Sequence, residues 1–390
     1  MRNFFKTANF ELLCQSIQLD NNPDTIKDTL HKASNIIANN RIDWDELYLR
    51  AEINCIKPQL WRLLHKISSP AIPEKIILKL ATENRENLYK QLQNVSEYFQ
   101  IKKLLDEAGI PAIPFKGFWL AHAFYGNLAD RESVDVDLFI HPCDVGKIKA
   151  IMLQRGYVPE EPLSQLKDDY ILNELCEYNF DMYEGKTRIY HFEFHWRVSL
   201  NVYGMNINLN ELQSHVKIGT LQHKELNIFT PSANLLLAIM HHAGKDQLLQ
   251  LKQVMDIAFI IKKHPDIDWE WVIKKVEKYS MENLLYVSVK MASILTGIKI
   301  PAVINEKANS TFILRLVNNR ISMIEEKKDR DESFKSLINN WYFQLRSRSS
   351  TKLKIRLILH ECRKSILPQL IPKKIRHLFL NKKIRTSPVN

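Results

Sequence analysis

Residues 131–140 read RESVDVDLFI. The stretch is apolar enough to predict a buried strand, and a strand sends alternate side chains to opposite faces. Asp135 and Asp137 therefore share one face, while Val134, Val136 and Leu138 share the other. Two like charges at that spacing repel, and burial adds to the cost unless something positive sits between them. Neutralising either aspartate should accordingly stabilise the protein when that positive partner is missing. What the partner is can be sought in the flanking segments.

On the N-terminal side, PAIPF (111–115) reads as a short strand running into Lys116-Gly117, and KGFWLAHAFYG reads as a helix ended by Gly126. On the C-terminal side, CDVGKIKAIMLQRG reads as a helix closed by Gly156. EYNFDMY and TRIYHFEFHWRVS follow as a hairpin about Glu184-Gly185-Lys186. In its second strand Tyr190, Phe192, Phe194, Trp196 and Val198 form one face, and His191, Glu193, His195, Arg197 and Ser199 the other. So regular a polar face either meets water or lines a site. Further out the period becomes helical on both sides, as with Leu60, Leu63, Leu64 and Ile67 before the unit and LLLAIMHHAGKD after it. The predicted fold is α+β: a small mixed sheet flanked by N-terminal and C-terminal helical regions. The expected divisions are a helical domain over 1–100, an α/β unit over 101–229, a helical domain over 230–340 and a basic amphipathic helical tail over 341–390.

Asp135, Asp137 and Glu193 give three carboxylates from two strands, the oxygen set that a pair of Mg²⁺ ions needs to hold the attacking and leaving oxygens of a phosphoryl displacement. Mn²⁺ would serve the same ligands. Gly117 at a helix start lets backbone N–H groups approach a triphosphate, Lys116 adds a point charge, and Arg131 offers a second phosphate contact. His195 reads equally as a partner behind the ligands or as a structural histidine. His241, His242 and Lys245 on an apolar helix read first as packing and local hydrogen bonding. AGKD at 243–246 is no P-loop, because no Gly lies five residues before Gly244 and no Ser or Thr follows Lys245.

The run IPFKGFWLAHAFYGNLADRESVDVDLFI resembles the signature of the uncharacterised nucleotidyltransferase family within the DNA polymerase beta superfamily, which reads roughly Leu-Lys-Gly, a helix, Tyr, then Arg and Asp-x-Asp. IDWDEL (42–47), FEFHWR (192–197) and LLLAIMHHAGKDQLLQLKQVMDI (235–257) are similar to further segments of that family, so the resemblance spans about residues 40–300. It implies a nucleotidyltransferase palm with Gly117 near the triphosphate and Asp135, Asp137 and Glu193 on the metal. The chain has Gly117-Phe118 where many superfamily members have Gly-Ser or Gly-Gly, and its third carboxylate is Glu where Asp is usual.

The expected activity is Mg²⁺-dependent transfer of a nucleoside monophosphate from an NTP, most simply ATP, to an acceptor hydroxyl. A non-catalytic nucleotide- or partner-binding palm is the alternative, and a DxD glycosyltransferase a remote one, since that fold puts a nucleotide-binding α/β half before its motif. The acceptor, whether protein, small molecule, peptide or RNA, is not encoded in the metal site. The 390 residues carry a net charge of +11, and residues 341–390 account for all of it, with 13 Lys and Arg against the single acid Glu361. Such a tail suits a polyanion. Five dispersed cysteines without a CxxC pair argue against a disulfide framework and a zinc site. No stretch predicts a transmembrane helix and MRNFFKTANFELLCQ lacks a signal-peptide core, so a cytoplasmic address is expected.

Overall fold

The structure, a computed structural model, describes residues 5–18, 23–160, 163, 168–326 and 334–365. It is α+β: a five-stranded mixed sheet of order β1-β2-β5-β4-β3, a separate two-stranded ribbon β6-β7, and helices before, around and after them. The strands are β1 (Ile113–Pro114), β2 (Val136–Phe139), β3 (Val158–Pro159), β4 (Glu177–Glu184), β5 (Thr187–His195), β6 (Val216–Leu221) and β7 (Lys224–Phe229). β2 and β5 run parallel, and every other pairing in the large sheet is antiparallel.

The alternation in β4 and β5 decides what lies on each face. Tyr178 and Phe180 stand beside Phe194 and Phe192, next to Leu138 and Val136 on β2. Together they meet Val95, Tyr98, Ile101 and Leu105 of the helix Glu74–Glu107 and Ile148 and Met152 of the helix Val145–Gln154 in one apolar core. The long helix passes through residue 100 without a break, its first turns packing elsewhere through Ile76 and Leu80. The helix Ala8–Gln18 packs on Glu282–Thr296, so helices from before and after the sheet share a second core, into which Phe115 and Phe139 reach.

The hairpin turns at Gly185-Lys186, where φ of Gly185 is 60°. β5 stops at His195, although the alternation continues in sequence, and Trp196 and Val198 are buried beyond its end. The β6–β7 ribbon was not anticipated. Its turn residues Gln222 and His223 both have positive φ, 50° and 62°, a conformation for which Gly or Asn is the usual signal. Past the family-like region the helices Phe334–Arg346 and Thr351–Ser365 cover part of the expected tail, and the rest of that expectation, residues 366–390, lies outside the described residues. Among the described residues no helix is long and apolar enough to cross a membrane.

Candidate active site

The other face of the sheet is polar along β4 and β5 and at Asp137, with Phe139 and Ile113 closing one end of it. In register across it lie Asp137 beside Glu193 and Glu193 beside Asn179, with His195 opposite Glu177 and His191 opposite Asp181. The parallel pairing of β2 with β5 is what sets Asp137 against Glu193, 56 positions apart in sequence. Donor atoms of Asp137, Glu193 and His195 all lie within 4.8 Å of one another. Asp135 precedes the first residue of β2, half-buried, and its Oδ1 accepts a 2.7 Å hydrogen bond from Ser133 Oγ.

Lys116 and Gly117 join β1 to the helix Gly117–Leu120, which continues as a π-helix over Ala121–Tyr125. Gly117 has φ 50°, and a Cβ there would stand 3.0 Å from the Asp135 carbonyl oxygen and 3.8 Å from Asp137 Oδ2. Only glycine fits so close to the aspartate strand without strain. The turn aims the Lys116 side chain into the polar face, its Nζ 2.5 Å from Asp137 Oδ1 and 3.9 Å from Glu193 Oε2. In this state the lysine ammonium is the positive partner of Asp137, while Asp135 takes the Ser133 hydroxyl.

His195 supplies a second positive charge. Its Nε2 lies 3.1 Å from both Asp137 Oδ1 and Glu193 Oε2, and its Nδ1 lies 2.9 Å from Glu177 Oε2. That last contact is off the line of an aligned hydrogen bond, so it is an ion contact. Burial alone would lower the His195 pKa, but Glu177 and Asp137 outweigh it and raise it to about 10. Burial likewise opposes ionisation of Asp137, yet Lys116 and His195 hold its carboxyl below the usual range. Glu193 is pushed up by burial and by Glu177. Hydrogen bonds from His191 and His195 and the Lys116 charge prevail and hold it low. His191 bridges onward, Nε2 to Glu193 Oε1 at 3.2 Å and Nδ1 to Asp181 Oδ1 at 2.6 Å.

The helical region forms the roof. The helix Pro231–Ala238 also widens into a π-helix, over Ile239–Lys245, and such widened turns often accompany functional sites because they re-aim side chains. His241 Nε2 lies 3.2 Å from Lys116 Nζ while its Nδ1 lies 3.0 Å from Asp246. Burial lowers the His241 pKa to about 4, so the neutral ring accepts from the lysine. Lys245 Nζ is 3.4 Å from Glu177 Oε2.

Arg131, expected to face a phosphate, has both Nε and Nη2 on Asp256 at 2.8 Å, with Nη1 donating to the Gly117 carbonyl at 3.3 Å. Tyr125 (2.6 Å) and His242 (2.9 Å) complete the bonding of Asp256. The site therefore gathers Asp137, Glu193, His195, Lys116 and Gly117 from the expected set, with Asp135 at its edge and Arg131 bracing the glycine from behind. Glu177, Asp181, Asp246 and Asp256 escaped the sequence reading as site residues. For Glu177 and Asp181 the signal was there, since EYNFDMY alternates polar and apolar residues as clearly as β5 does.

A family described as uncharacterised nucleotidyltransferase matches residues 40–297 of the chain, a span that contains every one of these residues. No curated protein and no solved structure matches the chain.

Proposed function

The chain belongs to the uncharacterised nucleotidyltransferase family, and on that premise we propose that it moves a nucleoside monophosphate from an NTP, most simply AMP from ATP, to an acceptor hydroxyl. The observation that carries this reading is the pairing of Asp137 with Glu193 across parallel strands, directly in front of Lys116 and Gly117. A divalent ion, Mg²⁺ or Mn²⁺, fits there, since an ammonium group already fills the place of a cation between the two carboxylates. When bound, it would screen the phosphate charge and stabilise the attacking and leaving oxygens.

Asp137 and Glu193 would hold the ion, and Asp135 would join them by releasing Ser133. Lys116, freed from Asp137, turns to the phosphates, and the Gly117 turn lets the backbone lie close against them. The acceptor oxygen then bonds to the α-phosphorus as the bond to the bridging oxygen of the β-phosphate breaks. Pyrophosphate leaves, and Glu193 takes the hydroxyl proton. We assign this chemistry to residues 101–229, with helical units over 1–100 and 230–340 shaping the acceptor pocket and the basic segment 341–390 meeting a polyanionic partner.

The test is incubation of the purified protein with α-labelled ATP, GTP, CTP and UTP and Mg²⁺ or Mn²⁺, against cell lysate and candidate acceptors. Pyrophosphate release with label retained on an acceptor is the expected result. Tight nucleotide binding without release under every condition would make the protein a nucleotide-binding palm and overturn catalysis.

A further inference from the structure

Asp137, Glu193 and His195 offer two oxygens and a nitrogen, which differs from an all-carboxylate set. His195 Nε2 lies 3.1 Å from Asp137 Oδ1 and 3.1 Å from Glu193 Oε2. Neighbouring ligands on an ion with bonds of ~2.1 Å stand roughly 3 Å apart, so the nitrogen has the spacing of a ligand. The ring is fully buried and cannot turn to solvent. Behind it, Glu177 Oε2 stands 2.9 Å from Nδ1, an atom with no aligned hydrogen bond of its own. In metal-bound histidines the far ring N–H is given to a carboxylate, which fixes tautomer and ring orientation, and Glu177 stands at the distance for that role. Glu177 is itself anchored by Lys245, 3.4 Å away on the π-helix, so the support reaches into the helical roof.

We propose that His195 is a metal ligand beside Asp137 and Glu193, with Glu177 as its positioning residue, and that the site prefers a transition-metal ion such as Mn²⁺ to Mg²⁺. Nitrogen donors strengthen binding of first-row transition ions, whereas Mg²⁺ favours oxygen ligands and keeps its water. The Lys116 ammonium withdraws as the ion enters, since the two cannot share Asp137 Oδ1, and His195 Nε2 gives up its proton to solvent, leaving the ring neutral with the remaining proton on Nδ1. The inference rests on the nucleotidyl-transfer reading for the ion's role, but its test uses no nucleotide.

The full chain is stripped with a chelator and titrated separately with MnCl₂ and MgCl₂. Mn²⁺ is expected to bind at least ~10-fold more tightly than Mg²⁺. Pulsed electron paramagnetic resonance of the Mn²⁺-loaded protein should show ¹⁴N coupling from a directly bound imidazole. Glu177→Gln, which keeps the side-chain length, should weaken Mn²⁺ binding by roughly 10–100-fold. Replacing His195 itself risks unfolding, so the wild-type spectrum and the Glu177 variant carry the test. A Mn²⁺ spectrum without ¹⁴N coupling, an affinity for Mg²⁺ equal to or above that for Mn²⁺, or unchanged Mn²⁺ affinity in Glu177→Gln would overturn the inference. Coupled nitrogen in a protein that turns over no NTP would overturn the transfer reading alone.

Discussion

Asp137 is 2% exposed, and its nearest charges are the Lys116 ammonium and the His195 ring, both cationic. That reverses the sign expected from the Asp135–Asp137 spacing alone, where removing a charge should relieve repulsion. Asp137→Asn leaves a buried lysine short of its closest counter-ion, and breaking a buried pair costs on the order of 3 kcal/mol. Metal-free Asp137→Asn should therefore melt below the wild type, and an equal or higher melting temperature would return the dominant role to aspartate repulsion. The same variant should lose at least ~10²-fold in transferase activity, as expected for a lost metal ligand. Glu132 gives a pH-dependent case away from the site. Burial raises its pKa to about 6 despite Lys57 at 3.7 Å, with Glu83 also on that lysine at 3.0 Å. An acid whose folded pKa is raised favours the fold fully below its unfolded value near 4.5 and loses that benefit as pH climbs through 6. Glu132→Gln should thus become more stable relative to wild type between pH 4.5 and 7, by up to about 2 kcal/mol. Urea midpoints at the two pH values measure the change, and a gap that does not widen with pH would refute it.

Among the elements, Arg131 joins the loop before β2 to the turn after β1. Arg131 grips Asp256 with two 2.8 Å bonds and holds the Gly117 carbonyl, tying the helix Leu251–Lys263 to the Lys116-Gly117 turn. The guanidinium is buried, and Asp256 is fully enclosed. Burial would raise the Asp256 pKa, but Arg131 above all, helped by His242, holds it far below the usual range. Arg131→Ala then strands a buried carboxylate, at a cost of about 3–5 kcal/mol. Lys116→Ala, which breaks the buried pair with Asp137, should in addition weaken nucleotide binding. Differential scanning of both variants with and without Mg²⁺-ATP separates the two roles. Arg131→Ala is expected to lower the melting temperature already without ligand, and Lys116→Ala to lose the ligand-induced rise. A stable Arg131→Ala protein with lost nucleotide binding would make Arg131 a phosphate contact.

For the whole molecule, one sheet separates two environments: an apolar core beneath it, and a buried charged layer between it and the helical roof. The net basic charge lies in residues 341–390 of the sequence. If that segment meets a polyanionic acceptor, binding should weaken by roughly 0.7–0.9 log units per phosphate contact for each tenfold rise in salt. Deleting residues 373–390, which hold six cations and no acid, should flatten that slope and raise the acceptor KM while sparing nucleotide affinity. Unchanged salt dependence and acceptor kinetics in the truncated protein would make those cations a solubilising surface and direct the search to small-molecule or protein acceptors.

The alternation of VDVDLFI and HFEFH by itself determined that Asp137, Glu193 and His195 lie on polar faces, and Lys116-Gly117 marked the turn in front of them. Strand parity is local, set by a two-residue period, and so survives without knowledge of the fold. The Gln222-His223 turn left no such mark, because its two positive φ values depend on packing that overrides local propensity. What neutralises the aspartates, which acid orients His195 and what Arg131 holds were decided by tertiary structure alone. Lys116 meets His241 and Arg131 meets Asp256 across 125 residues each, and charge pairing at that separation depends on the through-space arrangement of elements, which no periodicity records.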